Sequence, residues 1–151
     1  NYALYSNTTG SYNSAMGYAA LRFNTTGSYN RAMGYYALFS NTTGSSNSAM
    51  GSYALYSNTT GNYNLAMGYY ALFRNQTGSA NTVMGTEAGY GVSSNSFASS
   101  TLVGYRAGYG LSTGSNNVLL GYQSGYSNTT GNNNTFLGYQ AGSTTSSGAF
   151  L

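Results

Sequence analysis

The sequence predicts an all-β fold, a parallel β-solenoid of the β-helix or β-roll kind with about nine coils of 17 residues. Three observations predict it. Glycines recur at a fixed interval, the residues between them suit strands and turns, and the same residue types return at the same place in each repeat. Gly17, Gly34, Gly51, Gly68 and Gly85 are spaced by 17; Gly104 follows after 19, and Gly121 and Gly138 resume the spacing of 17. Units this short cannot bury a face alone and must stack on neighbours. A second glycine in each repeat, such as Gly10, leaves segments too short for helices. Asn, Ser, Thr and Tyr are also weak helix formers, whereas Thr and Tyr suit strands. The chain reads as one domain with coils 1–17, 18–34, 35–51, 52–68, 69–85, 86–104, 105–121, 122–138 and a partial 139–151. The sixth holds a two-residue insertion in "GVSSNSFASS", expected to bulge as a surface loop. With strands about 4.8 Å apart, such a rod is roughly 40 Å long.

Equivalent residues of a solenoid sit above one another, so each repeat position becomes a column. Asn13, Asn30, Asn47, Asn64, Asn81, Asn117 and Asn134 form one, expected to hydrogen-bond along the axis as an amide ladder. Gly10, Gly27, Gly44, Gly61, Gly78, Gly114, Gly131 and Gly148 form another, expected at a corner of positive φ with the Thr8–Thr9 and Thr25–Thr26 pairs beside it. A change of volume locates the core. Early coils carry Leu4, Leu21, Leu38, Leu55 and Leu72 in one column and Ala15, Ala32, Ala49 and Ala66 in another. Late coils carry Gly89, Gly108, Gly125 and Gly142 in the first and Leu102, Leu119 and Phe136 in the second. Interiors tolerate exchanges that conserve volume, so these columns are expected to touch across the interior. The column Met16, Met33, Met50, Met67, Met84, Val103, Leu120, Leu137 is expected to join them. Adjacent positions such as Ala15 and Met16 cannot both point inward on a regular strand. Either a corner falls between them or one faces a neighbouring chain.

Composition narrows function. The charged residues are Arg22, Arg31, Arg74, Arg106 and Glu87, and the chain has no His, Cys, Lys, Asp, Trp or Pro. Acid–base catalysis needs a titratable group tuned near neutrality, and metal sites need His, Cys or paired carboxylates. An enzyme is therefore not expected, nor is a cofactor. Four arginines at different repeat positions do not build the basic stripe that nucleic acid requires. No apolar run is long enough for a membrane span. The sequence starts at Asn1 in mid-pattern, as expected of a mature or excerpted chain whose targeting segment is gone.

Three features bear on function. The Asn-x-Ser/Thr signal occurs at Asn7, Asn24, Asn41, Asn58, Asn75, Asn128 and Asn133, all but the last in one column. These read either as N-glycan sites of a secreted rod or as corner asparagines bonding their own backbone. Aromatic columns Tyr18, Tyr35, Tyr69, Tyr105, Tyr122, Tyr139 and Tyr5, Phe39, Tyr56, Phe73, Tyr90, Tyr109, Tyr126 read as packing inside the rod or between rods, or as platforms for sugars. The ends form the third feature. Ala149-Phe150-Leu151 resembles the end of a complete coil, and Asn1-Tyr2-Ala3-Leu4 continues the pattern almost in phase. Solenoid edges are unpaired strands, and a head-to-tail contact that does not close gives an open filament.

"TGSNNVLLGYQSGYSNTTGNNNTFLGYQAG" (residues 113–142) resembles Gly/Asn-rich repeats of bacterial and viral surface proteins and fibre shafts. "NSAMGYAAL" (residues 13–21) is similar to the head repeats of trimeric autotransporter adhesins, whose repeat is shorter and whose stalk is not present in this sequence. Gly10-x-x-Asn13-x-Ala15 matches part of a curli-type repeat without its glutamines. The resemblance implies a left-handed solenoid at a cell surface or outside the cell. The function expected is a secreted, self-assembling filament subunit whose main partner is itself. The alternatives are a trimeric adhesin head or fibre shaft contacting glycans or cell surfaces, and, remotely, an ice-binding solenoid, which needs a flat Thr-x-Thr face rather than Thr pairs at a corner.

Overall fold

The computed structural model describes residues 2–92 and 95–147 of the chain. It contains eight three-residue strands: β1 (Ser14–Met16), β2 (Arg31–Met33), β3 (Ser48–Met50), β4 (Leu65–Met67), β5 (Thr82–Met84), β6 (Thr101–Val103), β7 (Val118–Leu120) and β8 (Thr135–Leu137). They form one parallel sheet in chain order, each strand pairing with the equivalent residues of the next coil, such as Ala15 with Ala32. The pairing of Val83 with Leu102 keeps that register across the 19-residue coil. The solenoid is thus all-β and parallel. Its described part has eight strands joined by seven turns rather than nine complete coils, and residues 138–147 start another coil that carries no strand. Among the described residues no helix is long and apolar enough to cross a membrane.

One short strand per coil leaves fourteen residues to bring the chain back, and left-handed backbone does it. In the second coil Ala19, Leu21 and Tyr29 have φ of 53°, 53° and 60°, and the equivalent positions repeat this along the chain. Left-handed conformation costs a non-glycine residue roughly 1–2 kcal/mol. Backbone bonds to adjacent coils hold it in place: Leu21 N–H donates to Ala37 O at 3.0 Å, Tyr29 N–H to Ser11 O at 2.9 Å and Tyr36 N–H to Tyr18 O at 2.9 Å.

The two glycine columns are required for different reasons. Gly17, Gly34, Gly51, Gly68, Gly85, Gly104, Gly121 and Gly138 turn the corner after each strand with φ of 123–143°. The Gly10 column does not have the positive φ expected of it. Glycine stands there because a Cβ on Gly44 would lie at 2.5 Å from Gly61 O and also meet the amides of Asn41 and Asn58.

Strand alternation sorts the interior. The middle residue of each strand points in and its two neighbours point out, so Ala32, Ala49, Ala66, Val83, Leu102 and Leu119 are fully buried. This overturns the expectation for the methionine column: Met16 is 67% exposed, Met33 47% and Leu137 75%. No corner separates Ala15 from Met16; the pleat does. The core adds a third apolar column, Ala20, Ala37, Ala54, Ala71, Ala88 and Ala107, beside the leucines.

The large and small columns do touch across the interior. A Cβ on Gly108 would meet Leu102, Leu111 and Leu119, one on Gly125 would meet Leu119, and one on Gly142 would press into the Phe136 ring. A Cβ on Gly89 would meet Leu102, Leu72 and Phe97, the last coming from the insertion coil and fully buried. The insertion is therefore more than a surface bulge. Ser93 and Ser94 lie outside the described residues, but Asn95 and Phe97 turn inward.

Leu119→Ala should lower stability by about 2–5 kcal/mol, and Gly125→Leu alone should overpack the same layer. Together they recreate the Ala49/Leu55 pairing of an early coil. The double variant should lose at least about 1 kcal/mol less than the sum of the singles in urea unfolding. Simple additivity would show that the columns do not share a layer.

Candidate functional site

Two asparagine ladders run inside the rod. The first is the expected one. Asn47, Asn64 and Asn81 each donate backbone N–H and side-chain Nδ2–H to the Oδ1 of the asparagine one coil earlier, at 3.0–3.2 Å. Ser100 replaces a rung: its N–H donates to Asn81 Oδ1, and its Oγ accepts from Asn117 N–H. Asn134 then bonds Asn117 Oδ1 with both donors.

The second ladder is the column of glycosylation signals. Asn24 Nδ2 donates to Asn7 Oδ1, Asn41 to Asn24 and Asn58 to Asn41, each at 2.7 Å. Both ladders converge on the glycine column: Gly44 O accepts from Asn30 Nδ2 and Asn41 Nδ2, each at 2.8 Å. Asn24, Asn41, Asn58, Asn75 and Asn128 are fully buried. A glycan on any of these buried Nδ2 atoms would have to pass through the coil, and on Asn24, Asn41 or Asn58 it would also break a rung; the geometry matches the corner-asparagine reading, with Asn24 Nδ2 donating to Gly27 O three residues on. Asn7 is half-buried with Nδ2 bonded to Gly10 O, and Asn133 is exposed on the turn before β8. Sequence reasoning missed this ladder, although the signal was there: these asparagines share a column and stand three residues before the glycines.

The imperfections of the second ladder trace to the irregular coil. Asn75 turns its Oδ1 to Gly78 N–H, which leaves Asn58 Oδ1 buried without a donor. Asn95 pairs with Asn75 as an isolated bridge, gives its Nδ2 to Leu111 O, and leaves its own Oδ1 unpaired. Leu111 then occupies the asparagine position, so Asn128 Nδ2 finds no oxygen below it.

Outside, the aromatic columns form stacks on the rod surface rather than inside it. Phe39, Tyr56, Phe73, Tyr90, Tyr109 and Tyr126 make one continuous stack with ring centroids 5.0–5.2 Å apart. Tyr18 stacks on Tyr35, and Tyr105 on Tyr122 on Tyr139. A third column, Tyr36–Tyr53–Tyr70, lies between them. Hydrogen bonding to Tyr69 pushes the Tyr70 phenol up to about 12, with burial adding to it. Burial raises Tyr36 and Tyr109 as well. Glu87 pairs with Arg106 in the next coil, and this bond holds the guanidinium above its ordinary pKa.

Among the proposed junction residues, Tyr2 is about half exposed, Ala3 is half-buried, and Leu4 packs on the core yet is less buried than its equivalent Leu21. At the other end a Cβ on Gly138 would meet nothing within 4 Å among the described residues. Asn1, Ala149, Phe150 and Leu151, and the glycine Gly148, lie outside the described residues. Compared with known proteins, the chain matches no family model, no curated protein and no solved structure.

Asn41→Ala leaves the buried Asn24 Oδ1 without a donor, and stability should fall by about 1–3 kcal/mol for that group, plus the lost rung bonds. Asn41→Asp should fall further, because a carboxylate would face Asn24 Oδ1 and Gly44 O. Denaturant titration measures both, and an unchanged midpoint for Asn41→Ala would show that the rung contributes nothing.

The raised phenols set an alkaline limit. Their folded pKa values exceed the ordinary 10.0, so the stability they contribute is complete below about pH 10 and is lost as pH rises towards the folded values. Circular dichroism followed alongside phenolate absorbance should show loss of structure between pH 10 and about 12, reduced in Tyr70→Phe. A stability that is flat over that window would contradict it.

Proposed function

We propose that this chain is a structural subunit of a secreted, self-assembling extracellular filament in which solenoid units stack head to tail on copies of themselves. The observation that carries this reading is the direction of the bonds. Most of the backbone donors outside the tight turns, the rungs of both amide ladders and the ring stacks reach along the axis to a group one coil away. Any coil of this kind is a template for the next, whichever chain supplies it. A head-to-tail contact of this type generates an open filament when it does not close on itself. With so few charges, little repulsion opposes close association. No catalytic role is proposed.

Lateral contacts are a second element. The outward sheet face carries Met16, Met33, Met84, Val103 and Leu137, all more than a third exposed, with the Tyr18 column beside it. An apolar strip of this length favours burial against another rod. It equally supports the alternative of a trimeric adhesin head or fibre shaft, in which three such faces meet.

Electron microscopy of the purified protein separates the two. The filament reading expects long fibres with an axial repeat of one chain, roughly 40 Å, and a strong meridional spacing of about 4.8 Å. Discrete trimers would replace it with the shaft reading, and monomers at high concentration would overturn both.

A further inference from the structure

The column containing Tyr12 and Tyr29 is interrupted. Tyr12 and Tyr29 stack at 5.0 Å with ring planes 13° apart, both well exposed. The next coil has Ser46, and the one after it returns to Tyr63. Conformation does not demand the serine, because φ is 60° at Tyr29, 58° at Ser46 and 58° at Tyr63. The missing ring opens a concavity of about 470 Å³ lined by Tyr12, Tyr29, Arg31, Ser46, Asn47 and Ser48. That volume lies within the range of small-molecule sites, roughly 300–1,000 Å³.

Arg31 is the second observation. Arg22 lies over the rings of Tyr2 and Phe23, Arg74 lies over Tyr90 and donates to Val92 O, and Arg106 pairs with Glu87. Among the described residues Arg31 alone has its guanidinium free of a carboxylate, a carbonyl or a ring face, and it stands in this concavity on the exposed edge of β2. An aromatic wall, hydroxyls at the end and floor, and one free fork of N–H donors match a particular chemistry. The C–H face of a pyranose lies on a tyrosine ring, its hydroxyls meet serine hydroxyls, and a single carboxylate takes a bidentate bond from arginine. Nucleic acid fits poorly, since phosphate binding needs several cations along the backbone.

We propose that this notch binds a carboxylated pyranose, the uronic acid unit of an acidic polysaccharide, through Tyr29, Arg31, Ser46 and Ser48. The site is on the flank of the rod, so it does not depend on the ends stacking.

Calorimetric titration of the full chain tests it with galacturonic acid, a galacturonate tetramer and a neutral maltotetraose. Binding of the tetramer, and at least about tenfold weaker binding of the neutral sugar, is expected if the carboxylate anchors the ligand. If the monosaccharide binds as tightly as the tetramer, one free sugar fills the site; if the tetramer is tighter, the ligand is polymeric. Arg31→Gln should weaken binding about tenfold. Ser46→Tyr should abolish it by continuing the tyrosine stack, with the melting temperature unchanged or raised. The proposal is overturned if no uronate binds, if maltotetraose binds as well, or if Ser46→Tyr and Arg31→Gln both bind like the parent chain. A single-stranded oligonucleotide that outcompetes the uronate would also overturn it.

Discussion

The coil spacing governs everything else in this molecule. Parallel strands bonded to one another lie about 4.8 Å apart, and a solenoid imposes that distance on every side chain as well as on the backbone. A residue type survives in a column only if it tolerates a copy of itself at that distance. Asparagine does, because its amide donates to the coil on one side and accepts from the coil on the other. Aromatic rings do, because their stacked separation in this rod is close to the coil spacing. Glycine does where the backbones themselves are too close for a Cβ. Like charges do not, since two of them at this distance repel appreciably near a protein surface. The scarcity of charge follows, and so does its placement: the one carboxylate stands directly next to an arginine of the following coil.

The same spacing explains an interior in which a dozen buried asparagines stand beside the apolar residues. A 17-residue coil with one three-residue strand encloses a thin core of alanine with one leucine or phenylalanine per layer. Such a core buries little apolar area per residue, while each of the first five coils also holds three non-glycine residues in left-handed backbone and each of the next three holds two. Buried amides stabilise only when their bonds are complete, since a low dielectric strengthens a paired group and penalises an unpaired one. The coils before Asn58 complete them, whereas Asn58, Asn95, Asn128 and Asn134 each keep one unpaired amide atom. Phe97 in the 19-residue coil and Leu111 in the coil after it fill space beside Gly89 and Gly108.

Much of this was legible in the sequence, because a column is a structural statement written as a spacing. The glycine interval revealed the coils, Asn30 and its equivalents revealed a ladder, and the exchange of Leu72 for Gly89 against Ala66 for Leu102 revealed two facing columns. The errors have physical causes. Hydrophobicity draws Met33 toward the core, while strand alternation with Ala32 points it out, the outward one of the two alternatives that adjacent apolar positions leave open. Asn41 reads from the sequence as either a glycan signal or a corner asparagine; it bonds the Gly44 carbonyl as a corner residue does, and the rung it makes to Asn24 is the part that no single repeat announces. Gly44 was credited with an unusual φ, while residues that do adopt positive φ include Leu38, Tyr29 and Tyr36. L-residues rarely visit that region, so nothing local in the sequence announces it. Only the axial bonds of a formed coil hold them there.

The direction of those bonds also decides how the rod responds to force. Strands lie across the axis and the bonds between them lie along it, so tension applied at the ends loads coils one at a time rather than sharing the load across the sheet. A coil that peels off contributes 17 residues of extended chain, roughly 60 Å, where it previously occupied about 4.8 Å. The rod is thus a spool. Under tension it lengthens by paying out single turns near its weakest layer, and because each remaining edge is still a template, slack chain can rewind onto it when the tension is released.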